Sequence, residues 1–344
     1  MITLKELKDI LADNRPERIE ELACEANQIK LQYFGRTVSL YAPLYLSNFC
    51  SSHCTYCGFH SHNRIKRIKL TPPEMHREMA FVANNGIENI LLLTGESYKV
   101  TPLSYLKEAA EIAKGYFSSI SLEVHPMNED EYRELFISGV DGIAIYQETY
   151  NRGRYAKVHL SGQKRDYDYR YGAPERIAKA GIRNISLGIL LGLADDVAED
   201  TFELYRHLRG LEKKFPGVEY SVSFPRLRPI KGMGFEPCCV DDLTFVKLIC
   251  LTRILFPRVG INLSTRESHE LRDHALEMGV TRISAASKTS VGGYTSQEPE
   301  KLDPQFDIQD ERSVKEIIQM LKEKNLDPVL TDWRRIENEP FVSI

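Results

Sequence analysis

The chain carries little net charge, −4 over 344 residues with 45 basic and 49 acidic side chains. That removes the electrostatic footprint expected of a nucleic-acid or anionic-membrane binder. It has no apolar run of membrane-spanning length, and Met1 to Leu7 lacks the basic and apolar regions of a signal peptide, so a cytoplasmic protein is expected. No composition shift or linker splits it into two domains, and no internal repeat is strong enough to suggest an array. Tryptophan occurs once, at Trp333, where it reads as a packing anchor. There are only seven cysteines, and four of them, Cys24, Cys238, Cys239 and Cys250, form no pattern. The adjacent pair resists a mutual disulfide because the bridge geometry is unfavourable. All four read as reduced thiols of a reducing compartment.

The other three stand together in Cys50-Ser51-Ser52-His53-Cys54-Thr55-Tyr56-Cys57-Gly58-Phe59. Thiolates spaced C-x3-C-x2-C on one tight loop can ligate three irons of a cubane [4Fe-4S] cluster. The fourth iron is then open to a small chelating molecule, with Tyr56 positioned to pack beside it. A structural zinc site closes instead with two spaced pairs of Cys or His. No second pair is present, although His53, His60 and His62 are available to complete such a site. The spacing resembles that of the radical S-adenosylmethionine (SAM) enzymes. The resemblance implies a [4Fe-4S] cluster whose open iron is chelated by SAM, and one-electron cleavage of SAM to methionine and a 5'-deoxyadenosyl radical.

Residues 1–36 read as helical, with Leu4, Leu7, Ile10 and Leu11 on one face and a second series through Ile19, Leu22, Ala26 and Ile29. Eight candidate strands follow: Ser39–Leu46, Asn89–Leu93, Ile120–Val124, Gly142–Tyr146, Ile185–Leu190, Tyr220–Phe224, Gly260–Ser264 and Thr281–Ala285. Helical signals lie between them. Thr71-Pro72-Pro73-Glu74 combines an N-cap, early prolines and a capping-box glutamate, and Gly181 and Gly279 end helical stretches. Eight such units predict an α/β fold, a complete (βα)8 TIM barrel over 37–300 with N-terminal helices before it. The remainder, 301–344, is expected to be a short extension packed on the barrel, with a capping box at Ser313 to Glu316 opening a helix to Lys322.

In such a barrel the site is built at the C-terminal strand ends, and the cysteine loop directly follows the first strand. The second strand ends in Thr94-Gly95-Glu96. Radical SAM enzymes carry a Gly-Gly-Glu-like segment there that faces the SAM ammonium; Thr94 replaces its first glycine, so the resemblance implies roles for Gly95 and Glu96. The third and fourth strands lead to Glu123 and Glu148. A buried unpaired carboxylate is costly, so these two are assigned to SAM, with pairing to barrel arginines as the alternative. Arg170, after Asp166 to Tyr169, is assigned to the SAM carboxylate against a plain exposed helix start. The late strands lead to Arg226, Arg228 and Arg266, suited to a bidentate hold on a substrate carboxylate. The basic run Arg64 to Lys69 reads as a solvated loop entering a helix.

Longer strings narrow the resemblance. Leu44 to Asn48, Cys54 to Phe59, Ser61 to Arg67, Tyr146 to Tyr150, Tyr220 to Pro229 and Leu263 to Ser268 are similar to the tyrosine lyases that make 2-iminoacetate for the thiamine thiazole. This similarity extends from about Val38 to Trp333. A related tyrosine lyase of iron-only hydrogenase maturation carries further cysteines in a C-terminal extension, whereas no cysteine follows Cys250 here. The resemblance implies cleavage of L-tyrosine to p-cresol and 2-iminoacetate, thiazole synthase as protein partner and a flavodoxin- or ferredoxin-type reductant. By analogy with a tryptophan lyase it also puts the substrate carboxylate on Arg266, with Tyr45 and Ser284 nearby. A lyase for tryptophan or another aromatic amino acid is the rival among enzymes; a non-catalytic zinc protein is the rival outside them.

Overall fold

The structure, a computed structural model, describes residues 2–228 and 237–331; Trp333 and Pro229 lie outside them. Its strands are β1 (Thr37–Ser47), β2 (His53–Cys54), β3 (Asn89–Thr94), β4 (Ser119–Glu123), β5 (Gly142–Ala144), β6 (His159–Ser161), β7 (Asn184–Gly188), β8 (Glu219–Ser223), β9 (Gly260–Leu263), β10 (Arg282–Ser284) and β11 (Asp327–Val329). Eight of them run parallel in the order β1-β3-β4-β5-β7-β8-β9-β10. The ring closes by pairing Ser39 with Arg282 and Tyr41 with Ser284. The fold is therefore the expected (βα)8 barrel, with each expected strand present to within two residues of its ends.

Alternation along β1 shows how the barrel separates core from site. Leu40, Leu44 and Leu46 are fully buried and share the hydrophobic core with Met75 and Met79 of the helix Pro72–Asn84. Tyr41, Pro43 and Tyr45, on the opposite face, line the barrel cavity. Because successive side chains of a strand point to opposite faces, one strand serves both layers. The helix Pro72–Asn84 starts at the Thr71/Glu74 capping box anticipated from sequence.

Two N-terminal helices, Leu4–Ala12 and Pro16–Phe34, precede the barrel. Leu7, Leu22 and Ala26 are buried against Val246, Cys250 and Leu251 of the helix Asp242–Leu255. Three short strands were not anticipated. β11 follows the helix Val314–Glu323 and pairs in parallel with the first residues of β1, Thr37–Ser39. β2 and β6 form a small antiparallel pair beside the barrel mouth. Runs of two or three residues are too short for hydrophobic alternation to mark. Among the described residues, no helix is long and apolar enough to cross a membrane.

Candidate active site at the barrel mouth

The three cysteines ride on a loop that backbone hydrogen bonds tie to its neighbours. Gly95 N donates to the Ser47 carbonyl at 2.8 Å and Ser51 N to the Glu96 carbonyl at 2.8 Å, fixing the loop against the end of β3. A Cβ at Gly95 would run into the Phe49 carbonyl and crowd Cys50, so glycine is needed here for close backbone approach. On the far side, Gly162 has φ +82°, and a Cβ there would lie 2.5 Å from Ser52 Cα. Arg67 closes the loop from below: its guanidinium donates to the carbonyls of Asn48, Phe59, His60 and Asn63 at 2.6–3.1 Å. The basic run is thus not wholly solvated. Its Arg67 is a half-buried brace for the loop.

The structure brings most of the site residues expected from sequence to one cavity. Of the three late arginines, Arg266 and Arg228 line it, whereas Arg226 does not and is paired with Glu267 and Asp242; Arg228 is likewise held by Glu267. Tyr45, Cys50, Cys54, Tyr56, Cys57, Gly95, Glu96, Glu123, Glu148, Arg170, Arg266 and Ser284 all line it. Burial, aided by the Glu96 carboxylate, pushes the Cys50 thiol up to about 11, and burial raises Cys54 and Cys57 as well. Such thiols hold their protons until a cation displaces them.

Two carboxylates at the mouth are paired. Arg170, buried, donates from Nη1 to Glu96 Oε1 at 2.7 Å and from Nε to the Tyr146 carbonyl at 2.6 Å. Lys164 Nζ lies 2.7 Å from Glu148 and 3.8 Å from Glu96. Burial works to raise Glu96, but Arg170, Lys164 and His125 outweigh it and hold its carboxyl below the usual range. Glu148 has a left-handed backbone, φ 70°, a strained conformation for a non-glycine residue and one that clusters at functional sites. Tyr56 donates to His159 Nε2 at 2.7 Å, because His159 Nδ1, 2.9 Å from the Tyr155 carbonyl, must be the protonated nitrogen.

The remaining residues have a different character. Arg266 lies 3.4 Å over the Phe306 ring and, among the described residues, its guanidinium has no hydrogen bond or ion pair. Burial lowers its pKa. Glu123 likewise has no hydrogen-bond partner among the described residues, and burial together with Glu148 pushes its carboxyl up to about 7. Tyr45 hydroxyl meets Gln305 Oε1 at 2.7 Å, and Gln305 Nε2 lies 3.6 Å from Cys57 Sγ. Ser284 is buried on β10, in register with Tyr41.

Lys164, Gln305 and Phe306 were missed from sequence. Lys164 follows β6, whose pairing with β2 brings it beside the cysteine loop. Gln305 and Phe306 come from the segment after β10, which returns to the mouth through hydrogen bonds from Gln305 N to Thr289 O and from Gln309 N to Thr265 O. No local signal marks any of the three; only the long-range pairing does.

The residues fit a cluster and a chelating ligand better than a single ion. Around one zinc, thiolates at about 2.3 Å would stand about 4 Å apart. Among the described residues, the group of three His, Cys, Asp or Glu whose ligand atoms lie within 4.8 Å of one another is His53, His60 and His62, not the three cysteines. Glu96 Oε2 is buried with no hydrogen-bond partner among the described residues, an acceptor suited to a donor that a ligand would bring.

A closed parallel barrel with three converging thiols at its C-terminal mouth is the architecture of a radical SAM enzyme. Residues 44–208 match the family model of the Radical SAM superfamily, and residues 223–327 match the Biotin and Thiamin Synthesis associated domain. The chain is 40% identical over 333 residues to 2-iminoacetate synthase of Escherichia coli (strain K12), covering 96% of this chain and 88% of that protein. It is 40% identical over 329 residues to 2-iminoacetate synthase of Salmonella typhimurium (strain LT2), covering 95% and 86%. The X-ray structure of the FeFe-hydrogenase maturase HydG from Carboxydothermus hydrogenoformans superposes with a TM-score of 0.89 at 34% identity, covering 96% of this chain and 76% of that one. The chain belongs to the 2-iminoacetate synthase family, carbon-carbon lyases of the radical SAM superfamily.

Proposed function

We propose that this enzyme cleaves the Cα–Cβ bond of L-tyrosine to p-cresol and 2-iminoacetate for the thiamine thiazole, with SAM cleaved reductively to methionine and 5'-deoxyadenosine. The observation that carries the substrate assignment is Arg266, a guanidinium on the cavity wall whose charge no carboxylate pairs among the described residues. An amino acid carboxylate completes it with two parallel hydrogen bonds. Phe306 holds the guanidinium plane, and Tyr45 and Ser284 are the polar neighbours we assign to the same substrate.

Cys50, Cys54 and Cys57 would hold a [4Fe-4S] cluster; Tyr56, Gly95, Glu96, Glu148 and Arg170 would hold SAM. When bound, these groups supply one-electron hydrogen-abstraction chemistry, with the electron from a flavodoxin- or ferredoxin-type reductant. The chain's own task is to position the substrate, exclude water and manage one proton. The tyrosine amine must be neutral to give up a hydrogen atom, so its ammonium proton has to leave. Glu123, grouped above with SAM, is within electrostatic range of Tyr45 and Arg266. We assign it as acceptor of that proton, because among the described residues it is a carboxylate without a hydrogen-bond partner. The imine product hydrolyses readily, and direct transfer to thiazole synthase is the partnership we propose.

The test is an anaerobic assay of the reconstituted enzyme with dithionite, SAM and tyrosine, following p-cresol, 5'-deoxyadenosine and glyoxylate. Parallel runs use tryptophan and Cys54→Ala. All three products with tyrosine, absent from the variant, support the reading. 5'-Deoxyadenosine without p-cresol would overturn the substrate assignment, and turnover of tryptophan in its place would establish the rival lyase.

A further inference from the structure

Three histidines that the reaction does not use converge on the outer side of the cysteine loop. His53 belongs to β2, between Cys50 and Cys54, while His60 and His62 lie just past Cys57. One ligand nitrogen of each falls within 4.8 Å of the others. The His53 ring stacks on His60 with centroids 4.9 Å apart and faces His62 at 4.2 Å.

The scaffold beneath these rings is already fixed. Ser61 N donates to the Ser52 carbonyl at 2.9 Å, joining the two segments that carry the histidines. Arg67 holds the His60 carbonyl at 2.6 Å, and Asn63 Nδ2 holds the Gly58 carbonyl at 2.7 Å. Ser61 Oγ lies 3.1 Å from His62 Nδ1, which leaves His62 Nε2 free to ligate. His60 is 9% exposed, and its Nδ1 is buried with no hydrogen-bond partner among the described residues. A buried imidazole nitrogen without a partner is costly unless something fills its lone pair or takes its proton. No Asp or Glu belongs to the group, so the ligand set is three neutral nitrogens, the donors preferred by zinc and the later first-row divalent metals.

We propose that His53, His60 and His62 form a second metal site that takes a divalent, imidazole-preferring ion such as Zn(II), with water completing the coordination. Small rotamer shifts bring nitrogens spaced this way to the Zn–N length of about 2.0–2.1 Å. Because one ligand lies inside the cysteine motif and two lie beyond it, the ion clasps the loop that presents all three thiols. The site is separate from the catalytic cavity, and none of its residues lines that cavity. The proposal stands whichever amino acid the enzyme cleaves.

The experiment is equilibrium dialysis of tag-free, cluster-loaded enzyme against Zn(II) under anaerobic conditions, with metal analysis and zinc-edge X-ray absorption. The expected result is one zinc per chain with iron content unchanged, nitrogen ligation at about 2.0 Å and no sulfur at about 2.3 Å. In His62→Ala, whose side chain is exposed, zinc affinity should fall at least about tenfold; His60→Ala should abolish it. No retained zinc, equal retention by His62→Ala, or sulfur ligation with loss of iron would each overturn the proposal.

Discussion

Replacing Glu123 with glutamine keeps the side chain's size and removes its ability to take a proton. In the native protein burial and the Glu148 carboxylate push Glu123 up to about 7, from an ordinary value of 4.5, against the pull of Lys164, Arg266 and Arg170. At 1.36 kcal/mol per pKa unit, keeping this carboxylate ionised in the fold costs about 3 kcal/mol. The acid binds its proton more tightly folded than unfolded. Stability is therefore full below 4.5, declines as pH rises from 4.5 to 7, and lacks the whole amount above 7. Glu123→Gln has no such term. Denaturant unfolding should find it more stable than the native protein by up to about 3 kcal/mol at alkaline pH, with the gain vanishing as pH falls towards 4.5. Activity should move the other way. A positioned base contributes about 10²- to 10⁴-fold, so p-cresol formation should drop by that order. The native kcat/KM should decline below pH about 7, where Glu123 is protonated, and the variant should lack that acidic limb. A variant with the native rate and the same acidic limb would refute Glu123 as the acceptor. A variant no more stable at alkaline pH would refute the burial argument beneath it.

Arg266→Lys keeps the charge but loses the two-pronged hold, so KM for tyrosine should rise roughly 10- to 100-fold, by the value of a charged hydrogen bond, while SAM binding stays unchanged; equal losses for both ligands would count against it. Arg170→Ala leaves buried Glu96 with Lys164, at 3.8 Å, as its ion-pair partner among the described residues and should cost about 3–5 kcal/mol in urea unfolding. Adding Glu96→Gln should recover part of that, and no recovery would mean that the pair is not the cause. Gln305→Leu removes the amide donor to Cys57 Sγ; the cluster's reduction potential should become more negative in an EPR-monitored titration, because a hydrogen bond to a ligand sulfur stabilises the reduced, more negative cluster. An unchanged potential would show that the contact does not survive cluster binding.

The cysteine loop was legible from sequence because its signal is local. One tight segment carries Cys50, Cys54, Cys57 and Tyr56, and spacing alone states what it can hold. Barrel topology was legible for a similar reason, since repeated strand and helix periods leave few ways to bury eight apolar strands. Residues at strand ends, Glu96, Glu123 and Glu148, could be placed at the mouth once the barrel was assumed. Their division into roles could not. Glu96 and Glu148 share a sequence character with Glu123, and only the approach of Arg170 and Lys164 from the segment between β6 and β7 pairs two of them and leaves the third raised. Lys164, Gln305 and Phe306 carry no motif, and they reach the site through the β2–β6 pairing and the returning chain after β10. The convergence of His53, His60 and His62 likewise depends on Ser61 meeting Ser52. Sequence by itself determined which chemical groups are available and the periods that place them on strands. Tertiary structure decided which charges meet, because partner choice depends on through-space distance and burial, and neither is written in spacing along the chain.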